Sequence, residues 1–181
     1  MKILITGASK GIGLQIAKEL AERGYELVLH CNSTEEALLA FVEENKNKNH
    51  IVKADLSTVV GAVDLFNQTC KAIGFPDSII NNAGVADSSP IEKDIKEWSA
   101  DFDKTMSVNL KSPAIICKEF ILKKRTEKIS KRLRIINIAS RAAFRGEIED
   151  FISYACSKGG VVSLTKTITR SFGLNENVLA F

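Results

Sequence analysis

The chain has 181 residues, 45% of them hydrophobic and 26% charged, and its 25 Lys and Arg against 22 Asp and Glu leave a formal net charge of +3. That length predicts one domain over 1–181, the balance is ordinary for a globular chain, and so small a charge gives no reason to expect a nucleic acid as partner. No apolar run nears the ~18 residues of a membrane helix, and the first residues already read as a strand, so the expectation is a cytoplasmic protein without membrane partner or signal peptide.

In chain order, the first strand covers Lys2–Thr6, with Ile3-Leu4-Ile5 at its centre. The turn Thr6-Gly7-Ala8-Ser9-Lys10-Gly11-Ile12-Gly13 leads into a helix over Gly11–Arg23, with Ile12, Ile16 and Leu20 at helical spacing and Gly24 as its stop. A strand at Glu26–Cys31, a helix over Thr34–Asn45, a strand at Ile51–Ala54, a helix over Thr58–Ile73 and a strand at Ser78–Asn81 follow. Val85–Ile95, with Ser88-Ser89-Pro90, is expected to be the most mobile stretch. One long helix is expected from about Trp98 to Ser130, then a strand at Arg134–Ala139, a helix over Ser153–Phe172 and a sixth strand from Asn177. Continuous apolar strands suit a parallel sheet buried on both faces. Their alternation with helices predicts a doubly wound α/β sheet with right-handed crossovers.

Residues 118–134 hold eight Lys or Arg against two Glu, which reads as a solvated helix end whose cations complement the C-terminal dipole. Cys31, Cys70, Cys117 and Cys156 form no Cys-x-x-Cys pair and no metal-ligand spacing, so reduced thiols and no metal are expected. Cys156 reads as a small filler on the packed side of its helix, with a reactive thiol as the rival.

Two motifs carry chemistry. Strand, glycine-rich turn and helix, in that order, form the context in which backbone cradles a dinucleotide pyrophosphate. Gly7 makes the tight turn, and Gly11 and Gly13 allow close approach of phosphate and of helix to strand. Far downstream, Tyr154 and Lys158 lie four apart in Tyr-Ala-Cys-Ser-Lys and share a helix face. A free phenol with a pKa near 10 is a poor acid-base group at neutral pH, and a neighbouring ammonium brings it closer to working range.

Together with Asp55-Leu56, Asn81-Asn82-Ala83-Gly84, Asn109 in Ser-Val-Asn-Leu-Lys-Ser, and Ser140 in Ile-Ile-Asn-Ile-Ala-Ser, these motifs resemble the short-chain dehydrogenase/reductase family over the whole chain. The nearest likeness is to its single-domain branch, which includes 3-oxoacyl-acyl-carrier-protein reductases. The resemblance implies a Rossmann-like sheet in order 3-2-1-4-5-6. It also implies hydride transfer between a dinucleotide and a carbonyl or secondary alcohol in a small-molecule substrate, a 3-oxoacyl thioester among the candidates. The rival is a non-enzymatic dinucleotide-binding regulator or scaffold.

The resemblance assigns catalysis to Asn109, Ser140, Tyr154 and Lys158. Tyr154 would exchange the proton, Lys158 would hold the nicotinamide ribose, Ser140 would bond the substrate oxygen, and Asn109 would hold a water for Lys158. Ser153 is a weaker rival for Ser140, and the Ser140-to-Tyr154 interval is one residue longer than the commonest in the family. Cofactor contacts would come from Gly7, Ser9, Lys10, Gly11, Ile12, Gly13, Asn32, Ser33, Asp55, Leu56, Asn82, Ala83 and Gly84, besides Tyr154 and Lys158. Asp55 would accept from adenine, with a helix N-cap as its rival and Ser57 as the alternative cap. Asn81 would tie strands together. NADP(H) is favoured over NAD(H), because His30-Cys31-Asn32-Ser33 offers no acid for a ribose 2′-hydroxyl while Lys10 offers a cation for a 2′-phosphate. The family also implies a homodimer or homotetramer. Dimer contacts are expected from Ile115, Ile116, Phe120, Val161, Leu164 and Ile168. The family's closing turn, substrate-covering loop and last edge strand are not in the sequence, which predicts a C-terminally truncated chain with an open site.

Overall fold

Six short apolar strands set the architecture: β1 (Lys2–Ile5), β2 (Glu26–Cys31), β3 (Asn49–Lys53), β4 (Ser78–Asn81), β5 (Leu133–Asn137) and β6 (Val178–Ala180). The computed structural model describes residues 1–33, 36–45 and 49–181. The strands form one parallel sheet in the order β3-β2-β1-β4-β5-β6, as expected. Register places Leu4 opposite Val28 and Ile79, and Ile79 opposite Ile135.

Successive strand residues point to opposite faces, and both faces are covered. On one, Leu4, Val28, Val52, Ile79 and Ile135 pack under α3 (Val59–Ile73), α5 (Ser112–Thr126) and α7 (Ile152–Glu176). Phe120 stands at its centre, edge-on to Phe66 at 6.2 Å and stacked on Phe75 at 5.1 Å. On the other, Ile3, Ile5, Leu27, Leu29 and Ile80 pack against Ala17 and Ala21 of α1 (Gly11–Glu22) and Leu38 and Phe41 of α2 (Glu36–Glu44). Burial on both faces is why the strands carry no polar alternation. It places every strand's carboxyl end along one rim of the sheet.

Helix ends follow local chemistry. Gly24, at φ +74°, closes α1 by donating its amide to Ala21. Thr58 caps α3 by accepting from Gly61 N–H, so neither Asp55 nor Ser57 is the cap. Asp94 caps α4 (Ile95–Met106), accepting from Lys96 and Glu97 N–H. Asn177, left-handed at φ +55°, ends α7 and turns the chain into β6.

Several expectations are corrected. The long helix expected from about Trp98 to Ser130 runs unbroken from Ile95 to Thr126, and a π-helical turn at Ser107–Lys111 divides it into α4 and α5. β3 starts two residues earlier than expected, and α7 runs four residues further. The expected start of the second helix, Thr34, lies outside the described residues. The segment after β4 is fastened: Ser88 donates to Asp150, Ser89 N–H to the Asp150 carbonyl, and Ser89 Oγ to Asp101. Ile116, Phe120, Val161 and Ile168, expected at a dimer contact, are buried in the chain's own core. Cys156 is exposed, not packed. Most cations of 118–134 do stand in the last turn of α5 and beyond it, as expected, and several also pair: Lys123 with Glu127, Arg125 with Glu176, Lys131 with Asp77, and Lys124 with the Ile129 and Lys131 carbonyls.

Candidate active site

The glycine turn is held by close backbone packing. Gly7, at φ +65°, leaves no room for a side chain, since a Cβ there would lie 2.8 Å from Ala83 Cα. A Cβ on Gly13 would lie 2.1 Å from the Gly7 carbonyl oxygen. Asn82 donates from Nδ2 to the Thr6 and Gly7 carbonyls, and Thr6 Oγ1 accepts from the amides of Asn82 and Ala83. The turn after β1 and the segment after β4 are thus one cross-bonded unit.

Above that unit lies a cleft of about 560 Å³. Its lining includes ten of the expected cofactor residues: Gly7, Ser9, Lys10, Asn32, Ser33, Asp55, Leu56, Asn82, Ala83 and Gly84. Gly11, Ile12 and Gly13 do not line it. Gly13 acts behind the loop by its packing on Gly7, and Ile12 is exposed. The cleft fits a dinucleotide: Gly7 and Gly84 leave bare backbone on its wall, Lys10 adds a cation, and its size is that of a small-molecule site. Asp55 Oδ1 accepts from Ser57 N–H, which holds its carboxyl below the usual range. His30 is buried in the cleft wall, with Gly7 N–H donating to Nδ1 and Nε2 against the Ala54 carbonyl, both at 3.0 Å.

At the β4–β5 end of the rim three of the expected catalytic residues, Asn109, Tyr154 and Lys158, lie near one another. Lys158 is buried on α7, and its Nζ donates to the Ile138 carbonyl at 2.7 Å and stands 5.8 Å from the Tyr154 ring centre. Burial lowers its ammonium pKa from the ordinary 10.5. A Cβ on Gly84 would lie 3.6 Å from that Nζ and 3.3 Å from Asn109 Oδ1. Gly84 is therefore where cleft, lysine and asparagine meet.

Asn109 sits in the π-helical turn, and its amide is fully engaged: Oδ1 accepts from Val85 N–H, and Nδ2 donates to the Val85 carbonyl and Ser157 Oγ. Its side chain braces the β4 segment against α7. Ser140 follows β5 and accepts from Ala142 N–H, opening the short helix α6 (Ala142–Arg145). α6 packs on α7, where a Cβ on Gly159 would be 4.0 Å from the Ala143 carbonyl. Ser153 is buried beside Trp98, Phe102 and Asp150, apart from the cleft. Asn81 ties β4 to β5 through Asn137, which donates onward to Thr165.

The cleft also takes in Ser57, Val85, Lys104 and Val108, which sequence reasoning missed. Lys104 and Val108 come from α4 and the π-helical turn, four apart on one side. The signal was there, but the periodicity could not say which face turns to the cleft. Lys104 pairs with Asp87 at 2.8 Å. Among the described residues no group of three metal-ligating side chains gathers and no helix is long and apolar enough to cross a membrane.

The short chain dehydrogenase family profile matches residues 1–176. The chain is 34% identical over 173 residues to the (2S)-[(R)-hydroxy(phenyl)methyl]succinyl-CoA dehydrogenase subunit BbsD of Thauera aromatica, covering 94% of this chain and 66% of that protein. It is 31% identical over 185 residues to the 3-oxoacyl-[acyl-carrier-protein] reductase FabG of Staphylococcus epidermidis, covering 98% and 72%. Among solved structures, 4-hydroxyisoleucine dehydrogenase complexed with NADH superposes with a TM-score of 0.85 at 28% identity, covering 98% of this chain and 69% of that one. The chain thus spans about two thirds of the length of these relatives.

Proposed function

The chain belongs to the short-chain dehydrogenase family, and from that premise we propose that it is an oxidoreductase acting between NADP(H) and a carbonyl or secondary alcohol. The dinucleotide supplies the hydride chemistry. Gly7, Ser9 and Lys10 would hold its phosphates, Asp55 and Leu56 its adenine, and Gly84 its nicotinamide ribose together with Lys158. Tyr154 gives its phenolic proton to the carbonyl oxygen during reduction and takes it back during oxidation. Lys158 keeps a positive charge beside that phenol, and Ser140 donates to the same substrate oxygen. The observation that carries the reading is that Lys158 Nζ and Asn109 Oδ1 both stand within 4 Å of where a Cβ on Gly84 would lie, so the cleft floor abuts the lysine, one helical turn from Tyr154. The similarity to FabG supports a 3-oxoacyl thioester as the substrate class.

The preference for NADP(H) rests on Lys10, Asn32 and Ser33, which line one cleft with no acid at the end of β2. NADPH is expected to bind more tightly than NADH in a fluorescence titration. Lys10→Ala should narrow the gap about fivefold, the worth of one exposed cation on a phosphate. Equal affinities, or tighter NADH, would refute the preference, and no binding of either would refute the function. A symmetric dimer through α5 and α7 belongs to the same reading.

A further inference from the structure

The ring of His30 is buried in the wall of the cleft, and the proposed chemistry leaves it unused. Its nitrogens have partners of fixed sense. The Gly7 amide can only donate, so Nδ1, 3.0 Å away, carries no proton. The Ala54 carbonyl can only accept, so Nε2, also at 3.0 Å, carries the proton. The neutral Nε2–H tautomer is the one form that satisfies both. The His30 carbonyl also accepts from Ala8 N–H at 2.8 Å, so one residue holds two successive amides of the glycine turn. Through Ala54 the same ring reaches the residue before Asp55, at the adenine end of the cleft.

We infer that His30 is a positioning residue for dinucleotide binding: its neutral imidazole latches the glycine turn of β1 to the end of β3, and protonation of Nδ1 releases Gly7. This rests on the dinucleotide reading above. Protonation would set a ring N–H against the Gly7 N–H, two donors face to face, at the point where the turn must present its backbone to phosphate.

The surroundings favour the neutral ring. α3 turns Ala62, Leu65 and Phe66 toward this face of the sheet, and its Asp64 is exposed and bonded to Gln68. Lys10 of the turn, Asp55 after β3 and Lys104 of α4 line the same cleft but are exposed, so solvent screens them. Lys53, at the end of β3, is exposed too. His50, the other histidine, is the second residue of β3, beside Glu26, and does not line the cleft. Burial pushes the His30 pKa below the ordinary 6.5, against a smaller opposing pull from the Ala54 carbonyl. The folded value is therefore the depressed one. The latch is fully formed above about pH 6.5 and is lost as pH falls through the lowered value.

The test is calorimetric binding of NAD⁺, which lacks the titrating 2′-phosphate, from about pH 8 down to the acid limit of the folded protein. Wild-type affinity should fall roughly tenfold toward acid, as for a buried donor left facing a donor. His30→Asn places Oδ1 where Nδ1 was and so keeps the Gly7 bond, loses the Ala54 bond and does not titrate; it should bind about twofold more weakly than wild type at neutral pH and stay flat. His30→Leu should bind roughly fivefold more weakly throughout. Wild-type and His30→Asn curves that fall in parallel, or a flat wild-type curve, would overturn the latch while leaving the dinucleotide reading standing. No NAD⁺ or NADPH binding at any pH would overturn both. If the Asn variant fails to fold, NMR of the wild type decides: a Gly7 amide shift that does not titrate with the His30 ring overturns the latch.

Discussion

At the scale of single residues, the site divides labour by burial. Lys158 is buried and bonded to the Ile138 carbonyl, whereas Tyr154 is only half buried. Removing the phenolic oxygen with Tyr154→Phe should cut kcat by 10²–10⁴ and leave dinucleotide affinity within a factor of about two, because the group moves a proton and adds little to binding. Lys158→Ala should lose both rate and affinity, since one ammonium serves phenol and ribose. Steady-state kinetics beside a binding titration separates the two. A Lys158→Ala protein with unchanged affinity would remove the ribose contact from the mechanism. Tyr154 and Lys158 were legible because their spacing is local. His30 was legible only as the lack of an acid: its partners Gly7 and Ala54 lie 23 and 24 positions away, and nothing in Leu-His-Cys-Asn-Ser announces them.

At the scale of elements, the π-helical turn is where local preference and tertiary demand part. Ser-Val-Asn-Leu-Lys reads as ordinary helix. The wider turn brings the Asn109 amide against Val85 and Ser157, contacts no helical propensity encodes. The same turn presses on α7: a Cβ on Gly160 would lie 2.5 Å from Leu110 Cδ2. Gly160→Ala therefore sets two effects against each other. Helix propensity favours alanine by about 1 kcal/mol, and overpacking costs about 1–3 kcal/mol. The clash should win, with a net loss of about 1 kcal/mol in denaturant melts, and a gain in stability would show that α7 and the turn part easily. The strands and the longer helices were otherwise legible, because a parallel sheet covered on both faces demands unbroken apolar runs such as Ile3-Leu4-Ile5 and Leu27-Val28-Leu29, whereas the short α6 carries no such pattern. Boundaries slipped where a cap decides them, as when Asp94 starts α4 before Trp98.

At the scale of the molecule, a groove of about 340 Å³ between α5 and α7 is lined by Ala114, Ile121, Leu122, Leu164 and Phe172, with Arg125 over the Phe172 ring at 5.2 Å. Leu122 is 43% exposed, which makes it the place to test the proposed dimer. Light scattering should show a dimer at micromolar concentration, and Leu122→Glu should shift it to monomer without lowering the melting temperature of the subunit. A monomeric wild type would refute the assembly. The strand order has a further consequence, for how the sheet is made. β1 occupies its middle, and its first partner, β2, is close behind in the chain, whereas its second, β4, pairs Ile3 with Ser78. The left half, β1 to β3, closes through short crossovers, while the central seam waits for a distant segment. Until β4 arrives, the Ile3-Leu4-Ile5 run of β1 shows a bare edge, so the nascent chain is adhesive while the segment between β3 and β4 is being made, and the speed at which that seam closes governs how much of it escapes aggregation.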